Sequence, residues 1–324
     1  MSLPIKDVLG VLVDNLTSRE SVMPLSRSRA TGWVKGLDIP MGGGTVIYTG
    51  HMYQLMPSII AMEKFVSQFE DSWLRYFFGI GRTFNKAINL SWFMSRPRPQ
   101  EQTIFNNIVR NIAFLLKVSG VQFGYLYDKE LYSGTLLHDQ GVCGVFEEHA
   151  HKVYERFRQL GVKHIITVDP HTTLMLRSVY PKIIEDYQLE VRSYLEVLAQ
   201  QNMRPLKNLD REVVIHDSCV YSRFEGTIDE PRELLEKAGI SYIEPEYSGK
   251  MTYCCGGPIE SLFPSKAHSI AENRIEQLAS RGSNIVTMCP ICLINLKAAV
   301  GEKHLSVKDI SDYLAEAYCN LEPF

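Results

Sequence analysis

Asn284-Ile285-Val286-Thr287-Met288-Cys289-Pro290-Ile291-Cys292-Leu293 is the stretch on which the fold turns. A short run of β-formers, Asn284–Thr287, leads straight into a cysteine. The proline that follows is suited to the first turn of a helix, where its missing N–H costs nothing, so a helix is expected over 290–299. Working outward, the scheme recurs. Glu212–His216 is expected as a strand running to Cys219, 230–238 as a helix with Pro231 in its first turn, Ile240–Ile243 as a strand and 267–281 as a helix. Strands alternating with helices at this spacing argue for an α/β fold with a largely parallel sheet.

The first half repeats the pattern. His164-Ile165-Ile166-Thr167-Val168-Asp169-Pro170-His171-Thr172 overlays the opening stretch, with Asp169 where Cys289 stands and Thr172 where Cys292 stands. Counting back, Tyr132-Ser133-Gly134 overlays Cys254-Cys255-Gly256, and Thr49-Gly50-His51 overlays His216–Cys219. Strands are expected at 45–50 and 121–125, and residues 180–201 read as one amphipathic helix. The expected organisation is an extension over 1–44, a degenerate unit over 45–201 without the patterned cysteines, and a unit over 211–324 that bears them, with 202–210 as linker. An aromatic-rich helical insertion over about 66–112 includes Trp73–Ile80 and Trp92–Met94 and is a candidate docking surface, or else an extension of the core.

Six of the seven cysteines fall in the second unit, and five of them form one pattern: Cys219, Cys254, Cys255, Cys289 and Cys292. A structural zinc ion takes four ligands. Adjacent cysteines serve one ion poorly, because successive side chains diverge, whereas an iron–sulfur cluster offers several irons. The count favours a cluster, and Zn2+ on four of the five thiols is the alternative. Gly256 and Gly257 allow close backbone approach, so their amides are candidate donors to cluster sulfurs. His216 and Asp217, just ahead of Cys219, are candidates for proton donation or for supporting the ligands. His51, Asp169 and His171 carry groups that could bind a mononuclear metal, but without a spacing signature polar remnants lining a substrate pocket or an interface are the preferred account. Cys143 and Cys319 lie outside the pattern.

The net charge of −3 over 324 residues, and the absence of any basic cluster, give no reason to expect nucleic acid as a partner. No apolar run approaches a membrane span, and the first twenty residues lack a secretory pattern. A cytoplasmic location follows as the expectation, peripheral to the inner face of the membrane where partners bring it there. No G-x-G-x-x-G follows a strand and no ferredoxin-type cysteine run is present, so electrons must come from elsewhere.

His216-Asp217-Ser218-Cys219, Cys254-Cys255-Gly256-Gly257-Pro258 and Cys289-Pro290-Ile291-Cys292 together resemble the cysteine-rich CCG domain found in the B subunit of heterodisulfide reductase. Similar domains occur in iron–sulfur subunits of hydroxyacid, glycerol-3-phosphate and some succinate dehydrogenases. The resemblance implies two pseudo-repeated CCG domains, each a Rossmann-like sheet flanked by helices. It makes the five cysteines ligands of a non-cubane 4Fe–4S cluster that acts on a thiol or disulfide. It also implies, as partners, a ferredoxin-like iron–sulfur subunit, a flavoprotein subunit and a membrane subunit, which this chain would join without spanning the bilayer itself. Because the first half has no thiols at the matching positions, cleavage of a disulfide between two facing clusters is not expected here. A zinc-filled structural or assembly subunit, and an electron relay in a hydroxyacid or succinate dehydrogenase, are the other readings.

Overall fold

Each half of the computed structural model, which describes residues 5–70 and 96–319, is a four-stranded parallel sheet covered by helices. In the first half β1 (Thr45–Tyr48), β2 (Gly124–Tyr125), β3 (His164–Thr167) and β4 (Glu190–Ser193) lie in the order β2-β1-β3-β4. In the second, β5 (Arg211–His216), β6 (Ile240–Ile243), β7 (Asn284–Thr287) and β8 (Ser306–Asp309) lie in the order β6-β5-β7-β8. The two orders are the same, so the repeat seen in the sequence is a repeat of topology. Central strands read as apolar runs because helices cover both faces of a parallel sheet. Val46, Ile47 and Tyr48 are fully buried, as are Ile285 and Val286.

Register confirms the correspondence. β3 pairs with β1 from Thr45↔His164 to Tyr48↔Thr167, and β7 pairs with β5 from Val214↔Ile285 to His216↔Thr287. The residues that follow β1 and β3, and β5 and β7, therefore emerge side by side at the C-terminal edge of each sheet. That edge is where open α/β sheets build their sites.

One expectation is overturned. Residues 180–201 do not form a single helix: a helical turn at Tyr180–Ile183 is followed by β4 and then by the helix Tyr194–Ala199. The four residues of β4 gain their ladder from β3, in register His164↔Glu190 to Thr167↔Ser193. That pairing is non-local, and it outweighs the helical preference of the flanking sequence. A capping box at Ser193 and Glu196 then restarts the helix. Its counterpart β8 ends the same way, with the Asp309 side chain accepting from the amide of Ser311.

The segment ahead of β1 carries the helices Ile5–Arg19 and Arg27–Thr31 and contributes Leu12, Leu16, Val22 and Trp33 to the core. Trp33 meets Tyr125 edge-on, at 4.7 Å between ring centroids. Of the aromatic-rich insertion, Trp73–Ile80 and Trp92–Met94 lie outside the described residues. Its later part belongs to the helix Pro99–Val118, which buries Phe105, Ile108, Val109, Ile112, Leu115 and Leu116. This helix packs on the second half through Ile310–Tyr318, where Asn111 donates to Asp312 at 3.1 Å. Two further links cross between the halves: Tyr53 donates to Asp309 at 2.8 Å, and Arg177 pairs with Glu225 at 2.8 Å. No helix among the described residues is long and apolar enough to cross a membrane.

Candidate metal centre

Three loops at the C-terminal edge of the second sheet bring the five cysteines together. The first leaves β5 as His216-Asp217-Ser218-Cys219 and is tied down by Asp217. The Asp217 carboxylate accepts both ends of the Arg232 guanidinium, at 2.9 and 3.0 Å, and the amide of Gly249 at 2.7 Å. Its carbonyl accepts from Thr252 Oγ1 at 3.2 Å. One buried carboxylate thus joins the loop of Cys219 to the segment leading to Cys254. Arg223 adds a second tie, donating to the carbonyls of Lys250 and Thr252.

His216 is fully buried, and Arg274, itself fully buried, donates from Nε to its Nδ1 at 3.1 Å. Burial and the neighbouring guanidinium push the imidazole down to about 3, so the ring is neutral at physiological pH. Because Nδ1 accepts, the proton sits on Nε2, which has no partner within the described protein. His216 thus offers one buried N–H near Cys254, whose charge it feels.

The second loop turns at Gly256, which lies in the left-handed region at φ 85°, and its amide points at Cys254 Sγ, 3.4 Å away. A Cβ at Gly256 would fall 2.5 Å from the carbonyl oxygen of Ala267, and one at Gly257 would fall 2.2 Å from Ile291 Cγ2. Only glycine fits at either place. Asn295 holds the loop from the helix behind it, donating to the Cys255 carbonyl at 3.2 Å.

The third loop is the strand-to-helix turn. Cys289 occupies the N-cap of the helix Pro290–Ala299, with Pro290 in the first turn. Helix N-termini favour negative charge, and the amide of Cys292 lies beside the Cys289 sulfur.

The thiols touch in a row: Cys219 meets Cys254, Cys254 meets Cys255, Cys255 meets Cys292, and Cys292 meets Cys289. All are free thiols. Cys219 and Cys254 are half-buried, and the other three are buried. Protons are shared along the row. Cys254 is held down to about 2 by the thiols of Cys219 and Cys255, which donate to it. Cys289 is also held low: burial opposes its ionisation, but Cys292 and His171 outweigh burial. The donating thiols of Cys219, Cys255 and Cys292 are pushed up. Cys289 also lies near enough to Cys255 and Cys219 to act on both through its charge. Among the described residues no group of three or more His, Cys, Asp or Glu side chains is set to hold a single metal ion.

The first half reproduces the backbone of this site without its chemistry. Gly134 lies at φ 80°, matching Gly256, and Asp169 caps Pro170–Leu174 as Cys289 caps Pro290–Ala299, accepting from the Thr172 amide at 2.9 Å. In place of thiols, Glu130 accepts from the Thr49 amide, the Thr49 hydroxyl and the Gly50 amide, at 2.6, 2.9 and 3.0 Å. Burial outweighs these bonds and pushes Glu130 up to about 7. His51 is held at φ 59° with its Nε2 3.7 Å from Glu130, and burial pushes it down to about 4.

The three metal-binding candidates of this half are not brought to one point. Asp169 serves as the helix cap, His51 faces Glu130, and His171 turns toward Asp139 and Cys289. Cys143 is exposed and Cys319 is buried, both apart from the row. Sequence reasoning had no means of finding Glu130, Arg232, Arg274 or Asp139, since each acts across a long loop and belongs to no local motif.

Residues 213–297 match the family model of the CCG cysteine-rich domain. Over 221 residues the chain is 32% identical to the EtfAB:quinone oxidoreductase of Syntrophomonas wolfei, covering 63% of this chain and 31% of that one. Over 222 residues it is 33% identical to the probable iron-sulfur-binding oxidoreductase FadF of Bacillus subtilis, covering 65% and 31%. Similarity extends to the D subunit of the dihydromethanophenazine:CoB--CoM heterodisulfide reductase of Methanosarcina mazei, 26% identical over 219 residues, covering 63% and 54%. The chain thus spans about a third of the first two relatives and just over half of the third. All three are similar to this chain, and all are oxidoreductases or subunits of one by name.

Proposed function

We propose that this chain is an iron–sulfur subunit of a redox complex like heterodisulfide reductase, resembling the B subunit of that enzyme, with one 4Fe–4S centre that exchanges electrons with a thiol or disulfide. The row of five thiols carries this reading. Five mutually interacting thiols, two of them on adjacent residues, suit a cluster with several irons, each taking its own ligands, better than a single ion that needs four donors around one point. Cys219, Cys254, Cys255, Cys289 and Cys292 would hold the cluster, which supplies one-electron transfer when bound. The chain's own groups prepare its place. Gly256 and Gly257 let the backbone approach, the Gly256 amide donates to Cys254, the buried His216 ring lies within electrostatic reach of it, and Asp217 with Arg232 fixes two of the three loops.

The similarity to oxidoreductases two to three times the length of the matched segment supports a role within a larger electron-transfer assembly. A ferredoxin-like iron–sulfur unit and a flavoprotein would feed the centre, with the chain peripheral to the cytoplasmic face of the membrane. Only one half bears thiols at the ligand positions, so the substrate meets one centre.

Anaerobic purification followed by iron, sulfide and zinc determination tests this directly. About four irons and matching sulfide per chain are expected, with an EPR signal of the oxidised or reduced centre that changes on adding a disulfide. Zinc without iron or sulfide would overturn the proposal in favour of a structural subunit.

A further inference from the structure

His171 belongs to the half without the ligand cysteines, yet it touches the ligand row of the other. It sits in the first turn of the helix Pro170–Leu174 and is 4% exposed. Its Nδ1 lies 3.2 Å from Asp139 Oδ2, and its side chain is within hydrogen-bonding reach of Cys289. Asp139 ends the helix Thr135–Asp139, which starts directly after the left-handed Gly134. Its other oxygen is occupied by His138 at 3.3 Å. The loops that in the second half carry Cys254, Cys255, Cys289 and Cys292 therefore carry, in the first half, an imidazole and the carboxylate that holds it.

Hydrogen-bond logic fixes what this pair can do. A carboxylate only accepts, so the ring nitrogen facing Asp139 bears a hydrogen. A metal-bound thiolate also only accepts, so the nitrogen facing Cys289 must donate. A donor to a ligand sulfur withdraws electron density from the iron, favours the more negative reduced state and raises the reduction potential. Asp139 contributes by keeping the ring pointed at the sulfur.

We propose that the half without ligand cysteines completes the centre: His171, oriented by Asp139, is a positioning residue that hydrogen-bonds Cys289 and sets the reduction potential of the cluster. This rests on the cluster reading above. The first half is then not a relic of a lost second centre but the wall that tunes the remaining one.

The test uses the full chain purified anaerobically with its metal, as wild type, His171→Phe, His171→Gln and Asp139→Leu. Iron and sulfide are measured first, and the midpoint is then found by redox titration followed by EPR. Iron content should be unchanged. In His171→Phe the reduction equilibrium should move by about tenfold toward the oxidised state, which is ~59 mV more negative for one electron. His171→Gln, which keeps an amide donor, should recover much of that shift, and Asp139→Leu should move the midpoint in the same direction as His171→Phe. Should His171→Phe fail to fold, Asp139→Leu carries the test, because it leaves the residue against Cys289 in place. Intact clusters with wild-type midpoints in these variants would overturn the inference alone. Zinc in the wild type would overturn the cluster reading and the inference with it.

Discussion

Replacing Glu130 by Gln should stabilise the protein at alkaline pH and leave it almost unchanged in acid. Glu130 has no exposed side chain, and burial raises it from 4.5 to about 7. The folded protein thus holds this proton more tightly than the unfolded chain. Its contribution is complete below about pH 4.5, declines as pH rises through about 7, and is gone above that. Each pKa unit corresponds to about 1.36 kcal/mol, so the loss amounts to about 3 kcal/mol by pH 8. Glutamine keeps the acceptor that Thr49 and Gly50 use, at 2.6 to 3.0 Å, and carries no charge to desolvate. Its amide group would stand where the second carboxylate oxygen faces His51, whose ring nitrogens have no hydrogen-bond partner in the described protein. Urea denaturation of metal-free wild type and Glu130→Gln at pH 5 and pH 8 measures the difference. A gain of about 2–3 kcal/mol at pH 8 that nearly vanishes at pH 5 is expected from the same linkage. A difference independent of pH, or a variant less stable at pH 8, would show that Glu130 is ionised in the folded state and that the logic is wrong.

Two further substitutions separate the site from its pseudo-symmetric partner. Gly256→Ala must place a Cβ against the carbonyl of Ala267 at positive φ, so it should lose most of its bound iron and cost at least about 1–3 kcal/mol. Gly134→Ala, at the matching turn, should cost a similar amount of stability while iron content per folded chain stays at the wild-type level; equal iron in both variants would refute the assignment. Asp217→Asn takes one of two carboxylates from Arg232, leaving it the more exposed Glu244, and loosens two ligand loops at once. A loss of about 1–3 kcal/mol, read by denaturation, should accompany faster release of iron to a chelator, and an unaltered release rate would mean the loops are held by other means.

The relation between the repeats also explains which features could be read in advance. The turn at Cys289 and Pro290 and its echo at Asp169 and Pro170 depend on neighbours a few residues apart, and both formed as read. β4 and β8 were not legible. Each has four residues, and each is a strand only because β3 or β7 supplies a ladder for it. Glu190–Ser193 lay instead within an apparent amphipathic helix, since a short partly exposed edge has no periodicity of its own.

The sequence by itself determined the α/β class, the repeat, and the five thiols with the glycines between them. Those features are written in residue type and spacing, because a strand-to-helix turn and a left-handed glycine are made by local backbone sterics. Only the tertiary structure decided which thiols meet one another, that Asp217 ties two loops through Arg232, and that His171 and Asp139 reach Cys289 from the other half. These depend on how two sheets face each other across packed helices. That geometry is set by the summed burial of side chains far apart in the chain, and no local pattern records it.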